Sequence, residues 1–456
     1  MQDQLFQALK AHDVEYADIR IEDVTDSWVK FRGPDLDTIG SSRTVGGVVR
    51  ALYKGGWGYA TFNDLSELDK RVREACETAR LVGTESTFFA PVEPVVAEVP
   101  AKMEKDFRQV PLADKKALAE EYNRLLLGHH PKIQTSDLRY ADSFKTVWYA
   151  NSQGSYIKEE KPDIYMFLLA VARQDDLVQV AFETAGGFDG YQSVEHLHEH
   201  AGKAADKAVE LLSAPPVTGG KYTVIADPLL TGVFTHEAFG HLSESDFVYE
   251  NEHMKELMQL GKRFGVDGLN VIDDGSLQGG LGTHPYDDEG VPMRKNYLIR
   301  DGILVGRLHS RETAAKMGEQ PTGNARAVAF QHPPIVRMTN TYIEAGKDNL
   351  EDMLKDIKLG VLAVNTYGGQ TAMEMFTFSA GYGYMIRDGQ VAELVRDVTL
   401  TGNVFDTLLH IDKIGDKVEW YPNTPGGCGK GAQFPLRVGT GGPYVRIQDC
   451  VIGGQQ

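Results

Sequence analysis

Cysteine is scarce in this chain. Cys76, Cys428 and Cys450 are the only three in 456 residues. They are too few, and odd in number, for a disulfide framework, which fits a reducing cytoplasm. Positive charge is also short: 47 basic residues stand against 65 acidic ones, a net of −18. That balance argues against a nucleic-acid-binding surface. No apolar run approaches the length of a membrane span. The start, "MQDQLFQALKAHDVEYADIRIE", lacks a basic stretch followed by an apolar core, so no signal peptide is expected. The glycine-rich loops contain no G-x-x-x-x-G-K-[ST] sequence, which weighs against a phosphate cradle. With 42% apolar residues the chain can build substantial cores, and its length predicts two large domains.

The expected class is α+β. In the first half, residues 2–12 read as a short helix. "DLSELDKRVREACETARLV" and "LADKKALAEEYNRLLLGH" have helical periodicity, the first with Asp64 and Ser66 as caps. "VGGVVRALYKGGWGYATF" reads as a hairpin, and the stretch from "IQTSDLRY" to "FETAGG" as consecutive antiparallel strands. "SVEHLHEHAGKAADKAVELLSAPP" reads as one long helix ending at Pro215 and Pro216. That double proline is the expected boundary between an N-terminal α+β domain (1–214), of helices on antiparallel strands, and a β-rich C-terminal domain (217–456). In the second half "KYTVIADPLL" is a strand followed by a helix, and "DNLEDMLKDIKLG" a lone helix. The glycine-rich, β-like segments there include "TPGGCGKGAQFPLRVGTGGPYVRI". "YLIRDGILVG" and "YMIRDGQVAE" predict two hairpins turning at Asp301–Gly302 and Asp388–Gly389.

One stretch carries chemistry. "THEAFGHLSESD" places His236, Glu237 and His241 on the helix after the strand. The zinc-peptidase pattern H-E-x-x-H sets two imidazoles four residues apart on one helix face. Here the spacing is five, which turns the histidines about 140° apart on a regular helix. A π-bulge, or a break at Gly240, would return them to one face; otherwise they are two ordinary helix histidines. A catalytic zinc takes three protein ligands and keeps one position open. Cys428, in the turn "GGCGKG" beside Lys430, is a candidate third ligand, or else a small buried cysteine. Cys76 and Cys450 read as core. Glu244, three residues after His241, either shares that histidine's face and supports it or is a solvated glutamate. Asp287, Asp288 and Glu289 read mainly as a turn with solvated charge, or as a wall of the cleft. His196 and His200 have helical spacing, but no carboxylate or cysteine nearby completes a set.

"HEAFGHLSESD", "YDDEGVP", "RMTNTYIEAG", "GGQTAMEMFTFSA", "CGKGAQFPLRVGTGGPYVRI" and "VGGVVRALYKGGWGYATFND" together resemble the TldD/PmbA family, on its TldD-like branch. The resemblance spans most of the chain. It implies a metallopeptidase in which His236, His241 and Cys428 bind one zinc ion per active subunit and Glu237 is the general base. It also implies peptide or unfolded-protein substrates, and a dimer with itself or with a PmbA-like partner. Two departures stand out. Ala432 sits where the family usually has glycine, and "TGNARA" replaces a more basic stretch, which bears on substrate preference. Two alternatives remain: a non-catalytic regulator acting by contact, as the family's link by name to DNA gyrase modulation implies, and a metal hydrolase of non-peptide amides. No nucleic-acid or membrane partner is expected.

Overall fold

A computed structural model describes residues 1–10, 13–372, 374–421 and 427–453. Parts of the expected first helix and of the glycine-rich stretch before Cys428 lie outside these residues. The chain is of mixed helix and strand, as expected.

The first half is built on a seven-stranded sheet. Strands β1 (Tyr16–Arg32), β2 (Asp35–Tyr53), β3 (Gly56–Phe62), β4 (Val96–Val99), β5 (Ile133–Asn151), β6 (Tyr156–Gln174) and β7 (Leu177–Gly187) form it, in the order β3-β2-β1-β5-β6-β4 with β7 also on β6. Helices α1 (Gln2–Leu9) and α2 (Leu68–Val82) pack with β1 and β2 around Leu5, Ile19, Val49, Val72 and Cys76. Helices α3 (Leu112–Gly128) and α4 (His198–Leu211) cover β5 and β6 around Tyr122, Leu138, Met166 and Ala205. Asp64 accepts from the Ser66 N–H, as the sequence predicts. The long helix expected from Ser193 is shorter. A 3₁₀ turn covers Tyr191–Val194, His196 has φ 60°, and α4 begins at His198. His196 and His200 therefore share no helix face.

The second half centres on β8 (Gly220–Ala226), which runs parallel to Leu359–Val364 and antiparallel to Val445–Gly453 inside a nine-stranded sheet. The outer strand at one end is Gly368–Ala372, paired to Met375–Ser379 on one side only among the described residues. Both Asp-Gly hairpins are present, with φ near 50° at Asp301 and Asp388 and near 75° at the glycines. This is the both-positive geometry that a type I′ turn requires. They lie in different sheets.

The acidic loop contradicts the expectation of solvated charge. Asp287 and Glu289 are buried, and the loop docks on the first sheet. Arg50 of β2 reaches Glu289 at 3.3 Å and Asp18 at 2.5 Å, while Arg20 of β1 reaches Asp288 at 3.0 Å. Burial works against charge on Asp288, but Arg20 and Lys161 outweigh it and hold the carboxyl well below its usual range. Tyr149 donates to the Glu289 carbonyl at 2.9 Å. A three-residue acidic run looks like a solvated turn until its arginines, more than 200 residues away in sequence, are placed beside it.

Candidate metal centre

β8 delivers the chain to a short buried helix, α5 (Pro228–Thr235). Asp227 caps it, accepting from the Leu230 N–H at 2.8 Å, and Pro228 occupies the first turn, where no N–H is needed. Such a cap is worth about 1 kcal/mol. The helix does not continue regularly. His236–Gly240 form a π turn, in which the His241 N–H bonds to the His236 carbonyl, five residues back. A 3₁₀ turn, His241–Ser243, follows. The five-residue spacing therefore fits one face, because the backbone widens by one residue where the two histidines need it. Gly240 sits under Met338, and a Cβ there would collide with the methionine sulfur.

The two imidazoles meet with ring centroids 5.1 Å apart and planes at 84°. Cys428 enters from the hairpin Cys428–Lys430/Gln433–Leu436, its sulfur 3.4 Å from His241 Nε2. One ligand atom from each of His236, His241 and Cys428 lies within 4.8 Å of the others. This is the one such group of three among the described residues. Glu237 stands alongside, its carboxylate 3.8 Å from His241 Nε2 and partly exposed. Cys76 and Cys450 are buried elsewhere. Burial pushes both thiols up, Cys450 to about 12.

The site's charge is arranged in layers. Burial opposes ionisation of Cys428, yet His236 and His241 pull its thiol down to about 4. Burial likewise opposes charge on His241, but Glu244 and then Cys428 outweigh it and raise the imidazole to about 11. His241 Nδ1 is 3.0 Å from Glu244, which is buried rather than solvated. Lys430 bridges Glu244 at 3.0 Å, Asp246 at 2.6 Å and the Val336 carbonyl at 2.9 Å. It thereby ties the cysteine hairpin to the histidine turn. Arg337, fully buried, grips the Cys428 carbonyl at 2.6 Å. Lys430, Asp246 and Arg337 escaped the sequence reading as supports; the one signal was that they stand inside the "CGKGAQ", "HEAFGHLSESD" and "RMTN" motifs.

Two cavities flank Glu237. One, of about 460 Å³, is lined by His236, Glu237, Cys428, Val233, Val438 and aromatic residues of the first sheet. The other, of about 330 Å³, is lined by Glu237, His241, Glu244, Gln370, Thr371 and Lys430. Gly369 of the outer strand borders both.

Comparison with known proteins gives the family and the fold. Three family models match in order: PmbA/TldA metallopeptidase domain 1 at residues 17–79, the central domain at 105–212 and the C-terminal domain at 219–454. A metalloprotease of Synechocystis is 47% identical over 96% of this chain and 95% of its own. A metalloprotease of Methanothermobacter thermautotrophicus is 34% identical over 97% and 96%. A zinc metalloprotease TldD homolog of Saccharolobus solfataricus is 28% identical over 96% of each. TldE from Thermococcus kodakarensis shares the fold, with TM-score 0.77 at 17% identity over 97% of each chain. So does a protein from Thermotoga maritima proposed to modulate a DNA gyrase, with TM-score 0.77 at 20% identity over 96% of this chain and 95% of that one. The chain belongs to the PmbA/TldD metallopeptidase family.

Proposed function

We propose that this member of the PmbA/TldD family is a zinc-dependent peptidase that hydrolyses peptides or unfolded segments, with His236, His241 and Cys428 holding one zinc ion and Glu237 as general base. The observation that carries this reading is the convergence of three ligand atoms beside a free-standing carboxylate. The donor set fits zinc: two imidazoles crossing at 84° and a thiol already drawn to its thiolate form.

Zinc, when bound, supplies Lewis acidity and lowers the pKa of water at its open position. The chain's own residues do the rest. Glu237 is partly exposed at the meeting of the two cavities, where it takes a proton from water and returns it to the departing amine. Glu244, held by Lys430, fixes the His241 ring by its Nδ1 and so aims Nε2 at the sulfur side. The outer strand Gly368–Ala372 borders both cavities and can pair with an extended backbone, which favours a peptide over a non-peptide amide.

The reading extends to assembly and place. The protein acts as a dimer, with itself or with a PmbA-like subunit, in the reducing cytoplasm where Cys428 stays unoxidised. No described helix is long and apolar enough to cross a membrane. The test is metal analysis with peptide turnover on one preparation. Zinc at about one per chain with cleavage of an unstructured peptide is expected. Full zinc without cleavage of any peptide overturns the reading.

A further inference from the structure

The two cavities beside Glu237 differ in size and in the residues that wall them. The larger is walled by Phe167 and Leu169 of β6 and Phe182 of β7, with Val233 and Val438 opposite. Phe167 and Leu169 are two apart on one strand face, and Phe182 stands directly across from Leu169 in the β6–β7 register. The rings of Phe167 and Phe182 lie 5.5 Å apart, and Tyr367 follows at 6.2 Å from Phe182, its hydroxyl tied to the Val180 carbonyl. The wall is therefore fixed from both halves of the chain. The smaller cavity has no such aromatic wall: Gln370, Thr371, Glu244 and Lys430 line it together with Leu242 and Phe247.

We infer that the larger cavity is a specificity pocket for one bulky apolar side chain of the substrate, the residue that follows the bond to be cut. This rests on the peptidase reading above. The side follows from strand direction. Along the outer strand, Gly368 and Gly369 border the larger cavity, and Gly369, Gln370 and Thr371 the smaller one. Antiparallel pairing is the more stable arrangement per residue. A substrate so paired enters through the smaller cavity and leaves through the larger one, passing Glu237 between them. The residue after the cleaved bond then lies among Phe167, Leu169 and Phe182. A cavity of about 460 Å³ falls within the usual range for a ligand pocket, about 300–1,000 Å³, and is ample for a leucine or phenylalanine side chain. The first sheet, which holds no candidate ligand, thus sets preference.

The experiment uses full-length, zinc-loaded protein and labelled glycine–serine peptides carrying a single Phe, Leu, Ser or Asp. Binding is measured to Glu237→Gln, and cleavage sites by wild type are mapped by mass spectrometry. The Phe and Leu peptides should bind at least tenfold more tightly than the Ser or Asp peptides, in line with the roughly 10–200-fold that apolar pockets discriminate. Cleavage should fall on their amino side. Phe182→Arg should reverse the order of Phe and Asp, and the milder Phe182→Ala should shrink the preference if the first variant folds poorly. Equal binding of all four peptides, or cuts on the carboxyl side of Phe, overturns the pocket. Preferential binding without cleavage by wild type keeps the pocket and sinks the peptidase reading instead.

Discussion

His241 and His284 are each held by a buried glutamate that also takes a lysine. His241 Nδ1 meets Glu244 at 3.0 Å, with Lys430 on the same carboxylate at 3.0 Å. His284 Nδ1 meets Glu159 at 2.9 Å, with Lys161 on it at 3.1 Å. Yet their protonation runs in opposite directions. Burial, reinforced by Lys161, lowers the His284 pKa despite Glu159. At His241 burial is overcome by Glu244 and the Cys428 sulfur. A histidine–glutamate–lysine set thus does not by itself mark a metal site: it stands at a seam between sheets as well as at the candidate metal centre. The second imidazole and the thiolate are what set the first apart.

The strongest test of this contrast removes a histidine from each set. His241→Ala, like His236→Ala or Cys428→Ala, should drop zinc from about one per chain to near zero and abolish peptide cleavage. His284→Ala should keep its zinc, and so should His200→Ala. Zinc retained by His241→Ala, measured by atomic absorption, would erase the distinction. Next, Glu237→Gln should keep the metal but lower kcat by about 10²–10⁴-fold, because an amide cannot take the proton. Rates within threefold of wild type would remove Glu237 as base.

The seam set makes its own pH prediction. Burial opposes charge on Glu159, but Lys161 and His284 bring its carboxyl down to about 2 from 4.5. A depressed acid contributes stability that is whole above pH 4.5 and fades as pH falls towards 2. The difference between wild type and Glu159→Gln in urea unfolding should therefore shrink by about 3 kcal/mol across that window. A constant difference would show that the ion set adds nothing. The smallest effect separates the lysines. Lys430→Gln should loosen zinc about ten- to a hundredfold, since it frees Glu244 and the cysteine hairpin together. Lys161→Gln should leave zinc affinity unchanged in a competitive chelator titration.

The sequence already held the features that are local. Asp64 as a cap, the two Asp-Gly hairpins and the β5–β6–β7 run all follow from short-range chemistry. The spacing of His236 and His241 left two readings open, a regular helix with separate histidines or a bulge that brings them to one face, and the π turn His236–Gly240 is the second. Three things were not legible. The acidic loop Asp287–Glu289 is buried by Arg20 and Arg50, which no local pattern announces. Phe167, Leu169 and Phe182 look like ordinary core alternation until the second half of the chain stands opposite them. His196 and His200 show the converse: the favourable spacing is there, but a positive φ at His196 keeps it out of the helix.

The buried arginines carry a lesson for anyone who trims this chain. Every candidate ligand and the candidate base lie after residue 235, so a shortened version starting near Gly220 looks sufficient on paper. It would strip Arg20 and Arg50 from Asp288 and Glu289 and open both carboxylates to a surface that never evolved to solvate them. The half that carries the candidate site is therefore tied to the first sheet. Neutralising Asp288 and Glu289 in the same design is the minimum repair before the fragment is asked to stand alone.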